Sequence, residues 1–139
     1  MTAMVRLLKL LSDTTRLRVL LLIARRELCV CQIMGVTGVS QPLISRNLSL
    51  LSRSGLVIER KEGKLVFYSL DPEMPEPYRK LMDLLKDLAE GDTTFTGDIA
   101  SLAECEEFQK ETGKCDMKTF REFMKRRTEK VTKRVGRRN

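Results

Sequence analysis

The sequence predicts a mostly α-helical chain with one small β-hairpin and a helical C-terminal extension. Three observations lead there. Apolar residues recur at helical spacing along most of the 139 residues. One pair of short runs rich in β-branched and aromatic residues flanks a turn containing glycine. That pair comes after a series of helices, not before it.

The elements follow in order. Val5, Leu7, Leu8, Leu10 and Leu11 place a first helix over residues 3–11. Ser12 or Asp13 is the N-cap of a second helix reaching about Arg26. Leu17, Leu20, Leu21 and Ala24 form its apolar stripe, with Arg16, Arg18, Arg25 and Arg26 outside it. A short helix spans roughly Cys29 to Met34, and Gly35 and Gly38 bracket a turn. The next helix begins at Ser40. Pro42 lies in its first turn, where a missing N–H costs nothing, and Ile44, Leu48 and Leu51 face inward. Gly55 suits the position just past its end. Leu56–Arg60 and Leu65–Leu70 read as strands joined by a turn over Lys61–Lys64. A Pro-rich break then leads to a helix marked by Tyr78, Leu81, Leu84, Leu85 and Leu88, ending near Gly91. Asp92 to Asp98 reads as a linker, Ile99 to about Lys110 as helical, and Met117 to Val135 as a basic helical pattern. Residues 1–91 are therefore expected to form one domain, and residues 92–139 a C-terminal extension.

Composition narrows the function. The sequence has no histidine, which removes a histidine general base and any imidazole zinc site. The N-terminus runs straight into a charged helical pattern with no signal-peptide layout, and no apolar run is long enough to cross a bilayer. A cytoplasmic location without membrane contact is expected. In a reducing compartment Cys29, Cys31, Cys105 and Cys115 point to metal or redox chemistry more than to disulfides. The net charge of +7 is unevenly spread. Residues 1–70 carry eleven basic and four acidic residues, residues 71–120 six and thirteen, and residues 121–139 nine and two. Basic blocks of this kind suit nucleic acid, because neutralising phosphates releases counterions.

Helices followed by a β-hairpin make the order of a winged helix-turn-helix. The Ser40 helix buries one face and offers Ser40, Gln41, Ser45, Arg46 and Ser49 on the other. Its N-terminus and serines suit phosphates, while Gln41 and Arg46 have the reach to read purine edges. Arg60, Lys61 and Lys64 at the hairpin tip are expected on the backbone or in a minor groove.

Val39-Ser40-Gln41-Pro42-Leu43-Ile44-Ser45-Arg46-Asn47-Leu48, followed by Leu50-Leu51-Ser52-Arg53-Ser54-Gly55-Leu56-Val57, resembles the recognition helix of the ArsR/SmtB repressors. So does Leu10-Leu11-Ser12-Asp13-Thr14-Thr15-Arg16-Leu17-Arg18-Val19-Leu20 upstream. The resemblance covers about residues 5–90 and implies a homodimer on double-stranded operator DNA. Asn47 stands where the family often has His. Glu27-Leu28-Cys29-Val30-Cys31-Gln32-Ile33 resembles the arsenic-responsive branch, in which a Cys-Val-Cys motif opens the helix before the recognition helix. This implies no cofactor for DNA binding and As(III) or Sb(III) as inducer, with Cd(II) or Pb(II) also compatible with soft thiolates. Residues two apart on an α-helix lie about 200° apart around its axis, so both thiolates reach one ion only if the first turn unwinds. The family's third cysteine position is Met34 here. Cys105 or Cys115 supplies the third sulfur, or these two form a second thiol site, or they are ordinary cysteines of the extension.

Three other readings compete. One is a repressor answering to thiol oxidation or persulfide. Another is a cysteine-dependent enzyme of arsenic detoxification, for which no anion loop and no base paired with a cysteine is visible. The last is a sequence-neutral architectural DNA binder led by the basic tail.

Overall fold

The computed structural model describes residues 1–113, 121–127 and 129. Its elements are α1 (Thr2–Leu11), α2 (Thr14–Arg25), β1 (Leu28–Cys29), α3 (Val30–Thr37), α4 (Gln41–Arg53), β2 (Val57–Glu62), β3 (Leu65–Leu70), α5 (Glu76–Ala89) and α6 (Thr93–Thr112). Residues 121–127 are also helical. This is a winged helix-turn-helix, with α3 and α4 as the helix pair and β2–β3 as the wing.

Local chemistry sets most boundaries. Asp13 caps α2 by accepting the Arg16 N–H at 2.8 Å. Gly38 ends α3 with φ of 71°, a left-handed conformation that an L side chain adopts only with strain. Helix α3 thus runs through Gly35 and stops later than its sequence suggests, and only the second glycine makes the turn. Ser40 precedes α4, and Pro42 occupies its first turn. The wing strands extend to Glu62, leaving a turn of Gly63 and Lys64 alone between the Glu62↔Leu65 pair.

The sheet has three antiparallel strands in the order β1-β3-β2. Strand β1 is absent from the sequence expectation. It pairs Leu28 with Tyr68 and Cys29 with Phe67. Asp92 to Asp98 is not a linker: Asp92 caps α6 through the Phe95 N–H, and the helix runs unbroken to Thr112.

One core joins these elements. Val19, Leu20, Leu22 and Ile23 of α2, Ile33 of α3, and Ile44, Leu48 and Leu51 of α4 are at most 2% exposed. Leu102, Cys105 and Phe108 of α6 and Phe123 belong to the same cluster. The arginines expected outside α2 are partly drawn in. Arg18 makes a two-pronged pair with buried Asp98, at 2.8 and 2.9 Å. Arg16 turns toward α1 and α4. Among the described residues, no helix is long and apolar enough to cross a membrane.

Candidate DNA interface and thiol site

Helix α4 is amphipathic in the sense a reading helix requires. Ile44, Asn47, Leu48 and Leu51 are buried, and Ser40, Gln41, Ser45, Arg46 and Ser49 are exposed. Gln41, Ser45 and Ser49 recur every fourth residue and form one stripe, with Arg46 beside it. Asn47 belongs to the opposite face. It is 2% exposed, and its Oδ1 accepts from Arg16 Nη1 at 3.3 Å while its Nδ2 has no partner among the described residues. The departure from His therefore bears on α2–α4 packing, not on the exposed reading face. The Arg16 guanidinium also donates to Leu10 O at 2.6 Å and Lys9 O at 3.5 Å. It satisfies carbonyls in the last turn of α1 and ties α1, α2 and α4 together.

The wing shows where charge is available. Lys61 and Lys64 are exposed at its tip. Arg60 is exposed too, but it is engaged. It bonds Glu27 at 2.6 Å and Glu62 at 2.7 Å, and its guanidinium lies 4.9 Å from the Phe67 ring centroid. Hydrogen bonding to Arg60 holds the Glu27 carboxyl below its ordinary range, and the two glutamates hold Arg60 firmly charged. Lys61 and Lys64 are thus better placed than Arg60 to offer net positive charge to a phosphate.

The two cysteines of the Cys-Val-Cys motif are not both helical. Cys29 is in β1 and is the N-cap of α3, with extended φ of −94° and ψ of 168°. Cys29 and Gln32 form a capping box, in which the Cys29 N–H donates to Gln32 Oε1 at 2.9 Å. Cys31 lies within the first turn of α3 and is half-buried. The unwinding argument changes accordingly. Bringing the two sulfurs to one centre disturbs a strand pair and a helix cap, not only a helical turn. The Gln32 amide also donates to Gln109 Oε1 on α6 at 2.9 Å, fixing both of its ends. Sequence reading missed Gln32. A capping residue followed three positions later by Gln is the available signal, hidden because Cys is an unusual N-cap.

Helix α6 brings Cys105 against α3. Its Sγ lies 3.6 Å from where a Cβ at Gly35 would stand, and the Phe123 ring lies 3.3 Å from the same point. Burial, and after it the neighbouring Cys29, push the Cys105 thiol up to about 11. Arg127 closes this corner by donating to Gly35 O at 2.8 Å and Ser101 Oγ at 3.1 Å. Among the described residues, no three Cys, His, Asp or Glu side chains are assembled to hold a metal ion. Cys115 lies outside the described residues, as does most of the basic tail.

Residues 13–59 match the model of the bacterial regulatory protein, arsR family. The arsenical resistance operon repressor of Escherichia coli K12 is 46% identical over 80 residues, covering 57% of this chain and 68% of that one. The chain belongs to the ArsR family. Its fold agrees with that membership. Reduced HlyU from Vibrio cholerae superposes with a TM-score of 0.55 at 33% identity, over 63% of this chain and 88% of that one. The homodimeric winged helix-turn-helix DNA-binding domain Mb0332 from Mycobacterium bovis gives 0.54 at 30% identity, over 66% and 82%. As an ArsR-family member the chain is a DNA-binding transcriptional regulator of the repressor type, not an enzyme.

Proposed function

We propose that this ArsR-family repressor binds operator DNA as a homodimer and lets go when As(III) or Sb(III) takes up Cys29 and Cys31. Cd(II) and Pb(II) are the other candidate inducers. In this reading residues 1–91 carry DNA binding and dimerisation. Ser40, Gln41, Ser45, Arg46 and Ser49 meet the major groove, Lys61 and Lys64 meet the backbone, and Arg60 contributes less because its charge is already paired. Met4, Val5 and Leu8 of α1 and Leu84 and Leu88 of α5 are exposed apolar side chains, and they supply the face for the second copy.

The single observation that carries the switch is the position of Cys29. It sits in the strand paired to the wing and caps the helix that precedes α4. Any ligand that pulls Cys29 toward Cys31 acts on both DNA-contacting elements. The ligand then prefers a state whose wing and recognition helix no longer fit the duplex, which is the requirement for coupling.

Fluorescence anisotropy of operator DNA, titrated with As(III), Sb(III), Cd(II), Zn(II) and peroxide, tests this. Arsenite is expected to release DNA from the parent protein and not from Cys29→Ser plus Cys31→Ser. Release that persists in the double variant rejects the assignment. Release that needs peroxide and reverses with reductant assigns the switch to thiol oxidation instead.

A further inference from the structure

We propose that the basic segment after Arg127 is a second DNA contact. Arg127 holds its start beside the recognition helix, and its cations meet phosphates that flank the half-site read by α4. The proposal rests on the reading above in taking α4 as the helix that enters the major groove.

The placement comes from the helical residues 121–127. Phe123 and Arg127 are four apart and share one face. Phe123 is 5% exposed and packs on Phe108, with ring centroids 5.5 Å apart. Its ring also comes within 3.3 Å of the point where a Cβ on Gly35 would stand. Arg127 donates to Gly35 O at 2.8 Å and to Val36 O at 3.4 Å, both in the last turn of α3, and to Ser101 Oγ on α6 at 3.1 Å. A cation there also suits the negative end of the α3 dipole. Arg127 and Met124 line one groove with Thr37 and Gly38, where the chain turns into α4. Ser40 follows Val36 by four residues, so at most about 14 Å of chain separates this anchor from the start of α4. The major groove is itself about 12 Å wide. The basic segment therefore starts within about one groove width of the reading helix.

Charge selects the partner. Residues 128–139 carry Lys130, Lys133, Arg134, Arg137 and Arg138 against Glu129 alone. Twelve residues span at most about 40 Å, enough to follow about one turn of duplex. The α6 carboxylates are claimed by other arginines. Among the described residues, Asp98, Glu106 and Glu111 hold Arg18, Arg26 and Arg126. Glu104 and Glu107 line a cleft with Arg126 and Arg127 themselves. Five further cations beside a DNA-reading helix are matched by the phosphate backbone, where each neutralised phosphate releases counterions. Such a contact adds affinity and orientation without reading bases.

The test compares the full chain with a variant in which Lys130, Lys133, Arg134, Arg137 and Arg138 are all changed to Gln. Anisotropy titrations over a range of salt use three duplexes. One is the operator alone, one carries about one helical turn of flanking DNA on each side, and one is of unrelated sequence. Each phosphate contact contributes about 0.9 to the slope of log affinity against log salt, so the variant is expected to flatten that slope by about 2 or more per protomer. It should lose about tenfold or more in affinity for the flanked operator and the unrelated duplex alike, leaving their ratio unchanged, with little loss on the short operator. Arg127→Ala, verified as folded by circular dichroism, keeps all five cations and is expected to lose affinity on the flanked operator only. An unchanged slope in the glutamine variant, an equal loss on the short operator, or Arg127→Ala binding like the parent overturns the inference. So does a change of oligomeric state in the glutamine variant without DNA, which would give the segment to the acidic surface of a second copy. A parent that prefers neither operator nor unrelated duplex rejects α4 as the reading helix, while a slope that still flattens upholds the phosphate contact.

Discussion

Arg16 on α2 donates to the Asn47 side-chain oxygen on α4 at 3.3 Å, while the same guanidinium holds the carbonyls of Leu10 and Lys9. The recognition helix is thereby set relative to α1 by one side chain. Hydrogen bonds to a charged group contribute roughly 1.5–3 kcal/mol each when shielded, and Arg16 is half-buried. Arg16→Ala is expected to lower unfolding stability by about 2 kcal/mol in urea titration. It should also weaken operator binding, although Arg16 is not placed on the exposed reading face of α4. A change within about 0.5 kcal/mol, typical of an ordinary surface site, rejects the linking role.

Asp98 anchors α6 to α2 through Arg18. Its side chain is 7% exposed and that of Arg18 25%. Removing one partner of a buried pair costs about 3–5 kcal/mol, and the partial exposure of Arg18 brings the expectation to about 2–4 kcal/mol for Asp98→Ala. Thermal or urea denaturation followed by circular dichroism measures it. A separate early transition in the variant would show that α6 has lost its seat while the rest stays folded.

On α4, Gln41→Ala and Arg46→Ala are each expected to cost about 1–3 kcal/mol of operator affinity and to relax base preference at one position. Lys61→Ala is expected to reduce the slope of log affinity against log salt by about one. Arg60→Ala should change that slope less, because Glu27 and Glu62 already compensate its charge. Anisotropy titrations at several salt concentrations compare the four. An Arg60 effect as large as that of Lys61 would mean the ion pairs open on DNA.

Cys105 gives a pH signature. Its thiol is raised from 9.0 to about 11 in the fold, chiefly by burial. Below pH 9 the folded and unfolded chains both keep this proton. Between pH 9 and about 11 the unfolded chain loses it and the folded chain does not. The native state then binds more protons, so stability falls as pH rises through that window. Subtracting the profile of Cys105→Ala isolates this slope from lysine titration. Alkylation of Cys105 in the native protein should also be about a hundredfold slower at neutral pH than for a thiol at the ordinary value. Equal pH profiles for parent and variant would reject the burial.

Much of the reading platform was legible because its signals are local. Asp13 before α2, Ser40 and Pro42 at the start of α4, Gly55 after it, and the spacing of Ile44, Leu48 and Leu51 all act within a turn or two. What was not legible depends on partners far away in sequence. Leu28 and Cys29 form a strand only because β3, some forty residues on, offers its edge. Asp92 to Asp98 looks like a linker because Thr and Gly are weak helix formers. The Asp92 cap and the pairing of Asp98 with Arg18 override that weakness. Arg60 looked like a charge for DNA until Glu27 was placed beside it. Charge counting cannot tell a solvated cation from a neutralised one. The exposure pattern of α4 agrees with the expected reading face, whereas the thiol corner needed α6 in place before Cys105 had any neighbour.

The double grip of Gln32, on the Cys29 amide and on Gln109, has an evolutionary and an engineering consequence. The Cys-Val-Cys segment is not a portable cassette. Moved into a scaffold whose last helix lacks a partner at the Gln109 position, it would keep its sulfurs and lose the tether that sets their resting geometry. Divergence at position 32 is therefore expected to be matched by divergence at 109, and a sensor assembled by segment exchange should carry both.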